Sequence, residues 1–93
     1  MNLKNKKVII TGGSTGLGEE ILKTFISQGA DVITCSRNLG TLSKTIIGLQ
    51  KLSIYENQVI KGFECDISDP EKTEIFFSTS INELNGLDVL VNN

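Results

Sequence analysis

The chain of 93 residues is long enough for one small domain and too short for two. Its 39% hydrophobic and 22% charged residues are typical of a globular chain. A net charge of −2 without any Lys/Arg run argues against nucleic acid as a partner. No apolar run approaches the roughly 18 residues that would span a membrane. The 93 residues include no histidine, which excludes His-based catalysis and a His-ligated metal, and we expect no metal site.

The two cysteines, Cys35 and Cys65, lie far apart in the sequence, each within an apolar run. Free cysteines in such positions behave as small buried hydrophobes, and disulfides are rare in cytosolic proteins. We therefore expect two reduced, buried thiols and a cytoplasmic protein. The N-terminus starts with basic residues, but its apolar run covers only residues 8–10, which is too short for a signal peptide.

The first third of the chain alternates apolar, β-branched runs with a helical pattern. The run over residues 7–11, between charge and glycine, predicts a buried strand. A helix is predicted over residues 16–28 and should end at Gly29, and residues 31–35 predict a second strand. The apolar stripe of this helix consists of Leu17, Ile21, Leu22, Phe25 and Ile26.

The middle of the chain repeats this alternation. Apolar residues recur every three or four positions at 39, 42, 46, 49 and 52, which predicts a second helix. Residues 58–64 predict a third strand, a weaker one because Lys61 and Gly62 interrupt the apolar run.

A helix-start signal precedes the third helix. Ser68 or Asp69 is suited to be the N-cap, Pro70 stands in the first turn, and Glu71 follows Ser68 by three residues, as in a capping box. The pattern predicts that this helix reaches residue 84 and stops near Gly86. Residues 87–93 then predict a fourth strand.

The predicted order of elements is β-α-β-α-β-α-β. Short apolar strands that alternate with amphipathic helices indicate parallel strands joined by right-handed crossovers. The predicted fold class is therefore α/β, with a Rossmann-type parallel sheet flanked by helices. Residues 1–93 would form a single Rossmann-type domain, the first half of a doubly wound fold.

The turn between the first strand and the first helix reads "TGGSTGLG" and is rich in glycine. Ligands of such folds bind outside the carboxyl ends of the strands, where a helix N-terminus attracts phosphate. Gly12 would permit the tight turn, Gly16 the close approach of a pyrophosphate, and Gly18 close packing of helix and sheet. Ser14 and Thr15 would add hydroxyl donors. A glycine-rich turn without any ligand is the plainer alternative.

The spacing of these glycines narrows the choice of ligand. A P-loop would need a lysine directly after the last glycine, whereas Glu19 and Glu20 follow here and would repel a triphosphate. Thr11-Gly12-x-x-x-Gly16-x-Gly18 instead resembles the cofactor loop of the short-chain dehydrogenase/reductase family. The resemblance extends over essentially all 93 residues.

Residues after the second strand bear on the choice of cofactor. An NAD-preferring member of this family would carry an acidic residue near Ser36 for the ribose hydroxyls. Ser36 lacks that carboxylate, and Arg37 could bind a 2′-phosphate through charge-assisted hydrogen bonds. This pair is similar to NADP-preferring members, so we expect NADP, with NAD the less favoured alternative.

Two further segments resemble the family. Asp66 after the third strand would hydrogen-bond the adenine amino group, and Ile67 would pack on the ring. Asn92 and Asn93 look like the start of the family's Asn-Asn-Ala-Gly motif, in which the first would stabilise the sheet and the second would lie near the cofactor ribose. The candidate cofactor residues are Gly12, Ser14, Thr15, Gly16, Leu17, Gly18, Ser36, Arg37, Asn38, Asp66, Ile67 and Asn93.

The family's catalytic Ser and Tyr-x-x-x-Lys pair has no counterpart in these residues. The only tyrosine, Tyr55, is followed four positions later by Val59 and is expected to be a surface or packing residue. We therefore predict the cofactor-binding part of an NADP-dependent oxidoreductase, inactive alone, whose full-length parent is a homo-oligomer. A non-catalytic dinucleotide-binding or interaction module is the alternative, and a methyltransferase is disfavoured by Ser36-Arg37.

Overall fold

A computed structural model describes residues 2–14 and 16–93. Three helices alternate with four strands in the described residues, in the order expected from the sequence. The elements are β1 (Lys7–Thr11), α1 (Gly16–Ser27), β2 (Asp31–Ser36), α2 (Leu39–Gln50), β3 (Ile60–Glu64), α3 (Pro70–Leu84) and β4 (Val89–Val91).

The four strands form one parallel sheet in the order β3-β2-β1-β4. In the register, Val8 of β1 lies beside both Val32 of β2 and Val89 of β4, and Cys35 of β2 lies beside Phe63 of β3. The two inner strands are almost wholly buried, because helices cover both of their faces. The predicted Rossmann-type α/β fold is confirmed.

The sheet separates two apolar cores. One core packs β1 and β2 against α1 and α2, and its fully buried side chains include Val8, Ile10, Leu22 and Ile26. The other lies on the side of α3 and contains Ile9, Ile33, Cys35, Cys65, Phe76 and Leu84. The alternation of consecutive β1 side chains between the two cores follows from the two-residue period of a strand.

Two predicted strands are shorter in the structure. β3 begins at Ile60, because Gln58 forms a turn, its N–H donating to the carbonyl of Tyr55. β4 covers only Val89–Val91, because Asp88 and Asn92 bond to β1 through side chains. α1 and α2 end one and two residues earlier than the patterns indicated.

The predicted capping box of α3 is wrong. Asp69 is the N-cap, and its carboxylate accepts hydrogen bonds from the N–H groups of Glu71 and Lys72. Ser68 instead donates to the side chain of Asp66, so the serine serves the preceding turn. The helix ends at Leu84, and its C-cap Asn85, directly before Gly86, has a left-handed backbone (φ 62°).

Helix length and apolarity also bear on membrane insertion. None of the helices found in residues 2–14 and 16–93 has the length and apolar character that crossing a bilayer requires.

Candidate functional site

A cleft of about 410 Å³ opens at the carboxyl ends of β1, β2 and β3. Parallel strands deliver their final residues to one edge of a sheet, which is where ligands of this architecture bind. Seven of the predicted cofactor residues line this cleft: Gly12, Ser14, Ser36, Arg37, Asp66, Ile67 and Asn93. The structure thus brings together four segments that are distant in the sequence.

The remaining candidates lie beside the cleft or outside the described residues. Gly16 and Leu17 form the first turn of α1, and Leu17 is 70% exposed, so it does not belong to the apolar stripe to which its spacing assigned it. Asn38 caps α2, accepting a 3.1 Å hydrogen bond from the Thr41 N–H. Thr15 lies outside the described residues.

Two glycines of the loop adopt backbone conformations that other residues rarely take. Gly12 has φ 67° and Gly16 has φ 59°, both in the left-handed region. Apart from its chain neighbours and the backbone of its own helix, a Cβ added at Gly16 would meet no atom of the described residues within 4 Å, so the space beside this residue is open. The glycine therefore leaves the backbone at the start of α1 accessible to a ligand.

Gly18 has a different role, because it lies against the loop itself. A Cβ at this position would collide with the carbonyl oxygen of Gly12 and would lie 2.6 Å from Nδ2 of Asn93. Real Cβ atoms do not approach so closely, so only glycine allows α1 to pack this near to the turn and to the residues after β4.

Gly13 and Thr34, which were not among the residues predicted from the sequence, hold the loop to β2. The Gly13 N–H donates a 3.0 Å hydrogen bond to the hydroxyl of Thr34, which in turn donates to the carbonyl of Ile10. A Cβ at Gly13 would collide with the side chains of Thr34 and Leu22. The double glycine in "TGGS" was the available signal, because one glycine suffices for the turn.

Ser14 connects the loop to the elements on either side. Its hydroxyl donates to the Ser36 hydroxyl over 3.1 Å, and its carbonyl accepts a 3.0 Å hydrogen bond from the Thr45 hydroxyl on α2. The Ser36 oxygen also accepts from the Asn38 N–H. The hydroxyls of Ser14 and Ser36 are therefore fixed by a hydrogen-bond chain from α2 to β2.

Arg37 is exposed at the mouth of the cleft and makes no ion pair within 4 Å among the described residues. The positive charge of Arg37 acts on the carboxyl group of Asp66. Hydrogen bonds from the hydroxyl and N–H of Ser68 hold the pKa of Asp66 below its ordinary value, and the charges of Arg37 and Lys72 lower it further. Asp66 is thus an anionic acceptor at neutral pH beside a cation.

The end of the chain closes one side of the cleft. The Asn93 side chain donates a 3.1 Å hydrogen bond to the carbonyl of Gly12, and the Asn93 N–H donates to the hydroxyl of Thr11. That hydroxyl donates to the side-chain oxygen of Asn92. Both asparagines therefore join the end of β4 to the end of β1 and to the glycine-rich loop.

The two cysteines are among the residues that line the same cleft, and their side chains belong to the core on the side of α3. Both are free and buried, as the sequence analysis expected. Burial raises the pKa of the Cys35 thiol; a backbone hydrogen bond from Gly12 opposes this shift, and the adjacent Cys65 thiol adds to it. Cys35 is therefore a neutral thiol at physiological pH.

A second cavity, of about 170 Å³, lies at the amino ends of the strands. Its charged groups are already paired: Lys7 and Asp31 form a 2.7 Å ion pair. The Nζ of Lys4 lies 4.6 Å above the centre of the Tyr55 ring, and Tyr55 packs against Gly29. This tyrosine is a packing residue at the edge of the sheet opposite the cleft, which agrees with the sequence analysis.

Comparison with known proteins adds independent evidence. The 36% identical "uncharacterized oxidoreductase YvrD" of Bacillus subtilis matches over 93 residues, which are 100% of this chain and 33% of that protein. A 3-oxoacyl-(acyl-carrier-protein) reductase, FabG, of Vibrio harveyi is 32% identical over 93 residues, with 100% of this chain and 35% of that protein covered. The chain thus spans about a third of the length of the relatives it matches.

Solved structures agree with these relatives. A hydroxysteroid dehydrogenase from Escherichia coli superimposes with a TM-score of 0.89 at 30% identity, over 99% of this chain and 36% of that one. A short-chain type dehydrogenase/reductase from Mycobacterium ulcerans, at 21% identity, shares the fold with a TM-score of 0.91 over 99% of this chain and 33% of that one. The family model described as "short chain dehydrogenase" matches residues 6–93. By this match, the chain belongs to the short-chain dehydrogenase family.

Proposed function

We propose that this chain is the dinucleotide-binding part of an oxidoreductase that prefers NADP over NAD and transfers hydride between the nicotinamide and a carbonyl or alcohol substrate. Its family consists of oxidoreductases that bind a nicotinamide dinucleotide. The observation that carries the proposal is the cleft, in which the glycine-rich loop, Ser36-Arg37, Asp66 and Asn93 meet.

The residues present fit a dinucleotide pyrophosphate. Gly12 and Gly16 give the turn its left-handed backbone, and the open space beside Gly16 is where a side chain would otherwise block the start of α1. The free N–H groups and partial positive charge of a helix N-terminus favour a phosphate there. Ser14 lies at the edge of the cleft, and its hydroxyl, which donates to Ser36 in this structure, would turn to donate to the phosphate.

The preference for NADP rests on the chemistry at the end of β2. Ser36 presents a hydroxyl where a carboxylate would repel a 2′-phosphate, and its oxygen is positioned by Ser14 and Asn38. Arg37 is exposed and without an ion-pair partner in the described parts of the chain, so its guanidinium is available for a bidentate contact. Together they favour an anionic substituent on the ribose.

The two ends of the cleft would select the orientation of the ligand. Asp66 is an anionic acceptor suited to an adenine amino group, and Ile67, 44% exposed, offers an apolar surface for the ring. Asn93, fixed by Thr11 and Gly12, would contact the ribose on the nicotinamide side. When bound, the nicotinamide supplies or accepts the hydride, and the residues of this chain position it.

Catalysis would require residues that these 93 do not include. Tyr55 lies at the opposite edge of the sheet, and position 59 is valine instead of lysine. We therefore expect the chain alone to bind the dinucleotide without turnover. The gene sequence after Asn93 separates this proposal from a non-catalytic module: a reading frame that continues to Tyr-x-x-x-Lys supports the oxidoreductase, and a stop codon supports the module.

Two broader expectations accompany this function. The free thiols of Cys35 and Cys65 fit a reducing, cytoplasmic location. Self-association of the full-length parent, which the family resemblance implies, is testable by light scattering.

The cofactor preference is tested by titrating NADPH and NADH fluorescence with wild type and Arg37→Ala. Loss of a charge-assisted hydrogen bond worth about 1.5–3 kcal/mol should weaken NADPH binding roughly 10- to 150-fold. NADH binding should change little. Lys51→Ala removes an equal charge from the end of α2, away from the cleft, and should leave both affinities unchanged. Equal NADPH affinity in wild type and Arg37→Ala would refute the role of Arg37.

A further inference from the structure

Cys35 and Cys65 are far apart in the sequence but lie side by side in the fold. The register of β2 and β3 pairs Cys35 with Phe63, and Cys65 follows Phe63 by two residues. Residues two apart in an extended segment point to the same face, so both thiols enter the core on the side of α3. The Cys65 N–H donates a 2.9 Å hydrogen bond to the Ser36 carbonyl, which extends the pairing to this position.

Both cysteine residues also border the candidate dinucleotide cleft. They are only 2% and 4% exposed, and both are among the residues lining the cavity of about 410 Å³ that Ser36 and Asp66 share. A small reagent in the cleft therefore lies next to two buried cysteines that belong to one core. No metal-ligating cluster of three or more residues is present in the described part of the chain.

The spacing of the two residues favours a bridged pair over a direct disulfide. One strand spacing of about 4.8 Å and two rises of about 3.3 Å place diagonal Cα atoms roughly 8 Å apart. A disulfide needs Cα atoms within about 7 Å, so direct oxidation would require the backbone to move. A single atom bonded to both sulfurs holds them farther apart than a direct S–S bond does, so it can span the larger distance between these two residues.

We propose that Cys35 and Cys65 form a two-thiol modification site for soft, bidentate electrophiles, of which a trivalent organoarsenical is the representative, and that its occupation excludes the dinucleotide. The exclusion rests on the proposed function, whereas the thiol site itself does not.

The reaction is balanced without an oxidant or reductant. Each thiol sulfur attacks arsenic, two arsenic–sulfur bonds form, and the arsenic–oxygen bond of the reagent breaks. The oxygen leaves as water with the two thiol protons, and arsenic stays trivalent. The sulfurs act as the soft ligands that thiophilic centres prefer.

The test uses phenylarsine oxide on the purified protein. We expect one adduct per chain by mass spectrometry, together with the loss of two titratable thiols. The adduct should resist excess monothiol and be released by a dithiol. In Cys35→Ser and Cys65→Ser, with folding checked by circular dichroism, monothiol should remove the reagent. Absence of an adduct in wild type, or an adduct that monothiol removes, would overturn the two-thiol site, and this readout needs no variant.

Competition separates this site from the proposed function. NADPH added first should slow the formation of the adduct at least tenfold, and the adduct should abolish NADPH binding. A monothiol-resistant adduct that NADPH does not slow would support the thiol site and contradict dinucleotide binding in this cleft.

Discussion

The hydroxyl of Thr45, in the middle of α2, donates a 3.0 Å hydrogen bond to the carbonyl oxygen of Ser14 in the glycine-rich loop. The two residues are 31 positions apart, and neither glycine spacing nor helical periodicity indicates their contact. Because Ser14 also bonds to Ser36, the position of α2 determines where the loop lies relative to β2. The second helix thus supports a site that it does not line.

Thr45→Val should loosen the loop without changing the shape of the side chain. The loss of one net hydrogen bond, about 0.5–1.5 kcal/mol, should weaken NADPH binding by roughly two- to twelvefold. Thr24→Val on α1 is the matched control, because its hydroxyl bonds only to the Glu20 carbonyl of the same helix. Fluorescence titration checks both variants, and equal affinities for Thr45→Val and Thr24→Val would contradict the supporting role.

Gly18→Ala and Gly48→Ala should change stability in opposite directions. A methyl group at Gly18 collides with the Gly12 carbonyl and approaches Asn93, so overpacking should lower the free energy of unfolding by about 1–3 kcal/mol. At Gly48, inside α2, no atom lies within 4 Å, and the better helix propensity of alanine should raise it by about 0.5–1 kcal/mol. Urea denaturation measures both, and the same sign for both variants would disprove the close packing at Gly18.

Thr34→Val should destabilise the fold through one unpaired donor. Thr34 is fully buried, and its hydroxyl accepts from the Gly13 N–H while donating to the Ile10 carbonyl. Valine leaves that buried N–H without an acceptor, at a cost of about 1–3 kcal/mol. Thr79→Val on the exposed side of α3 should stay within about 0.5 kcal/mol of wild type. Thermal unfolding compares the two, and equal shifts would argue against the bond to Gly13.

Asp66 should titrate below the ordinary value of 3.8, because Ser68 bonds to its charged form. A carboxyl whose pKa is lowered by folding stabilises the folded state above its unfolded pKa. This contribution disappears as pH falls through the folded pKa. Carboxyl chemical shifts measured by NMR should show a low midpoint in wild type and a higher one in Ser68→Ala. Ser78→Ala is the control: the hydroxyl of Ser78 bonds only within α3, so its loss should leave the midpoint of Asp66 unchanged. An unchanged midpoint in Ser68→Ala would show that Ser68 does not cause the low pKa of Asp66.

The inner strands were predictable because their signal is local. The apolar run over Lys7–Thr11 coincides with β1, and the second run misses β2 only by Ser36. The predicted bounds of the outer strands, β3 and β4, extend beyond the observed ones. The pattern of apolar residues does not show where a side chain takes the place of a backbone hydrogen-bond partner. Asp88 illustrates this point: its carboxylate accepts from the Lys7 N–H before β4 begins.

Residues of the site were predictable from the sequence only where a glycine or a charged residue indicates them. The left-handed backbone of Gly12 and Gly16 was predictable from their residue type. Leu17 fitted the helical stripe but is exposed, and the next residue, Gly18, is the buried one. The capping box failed for a similar reason: two adjacent residues could cap α3, and Asp66 engaged Ser68 and left Asp69 for the helix.

The contacts of Asn92 and Asn93 have a consequence for synthesis of the chain. Their partners, Thr11 and Gly12, precede them by 81 or 82 residues, so one wall of the cleft must wait until the residues after β4 have been made. Contacts of such long range are slow to form, because much loop entropy is lost before they are made. On the ribosome, the glycine-rich loop emerges early but becomes a complete binding surface only after Asn93 has left the exit tunnel.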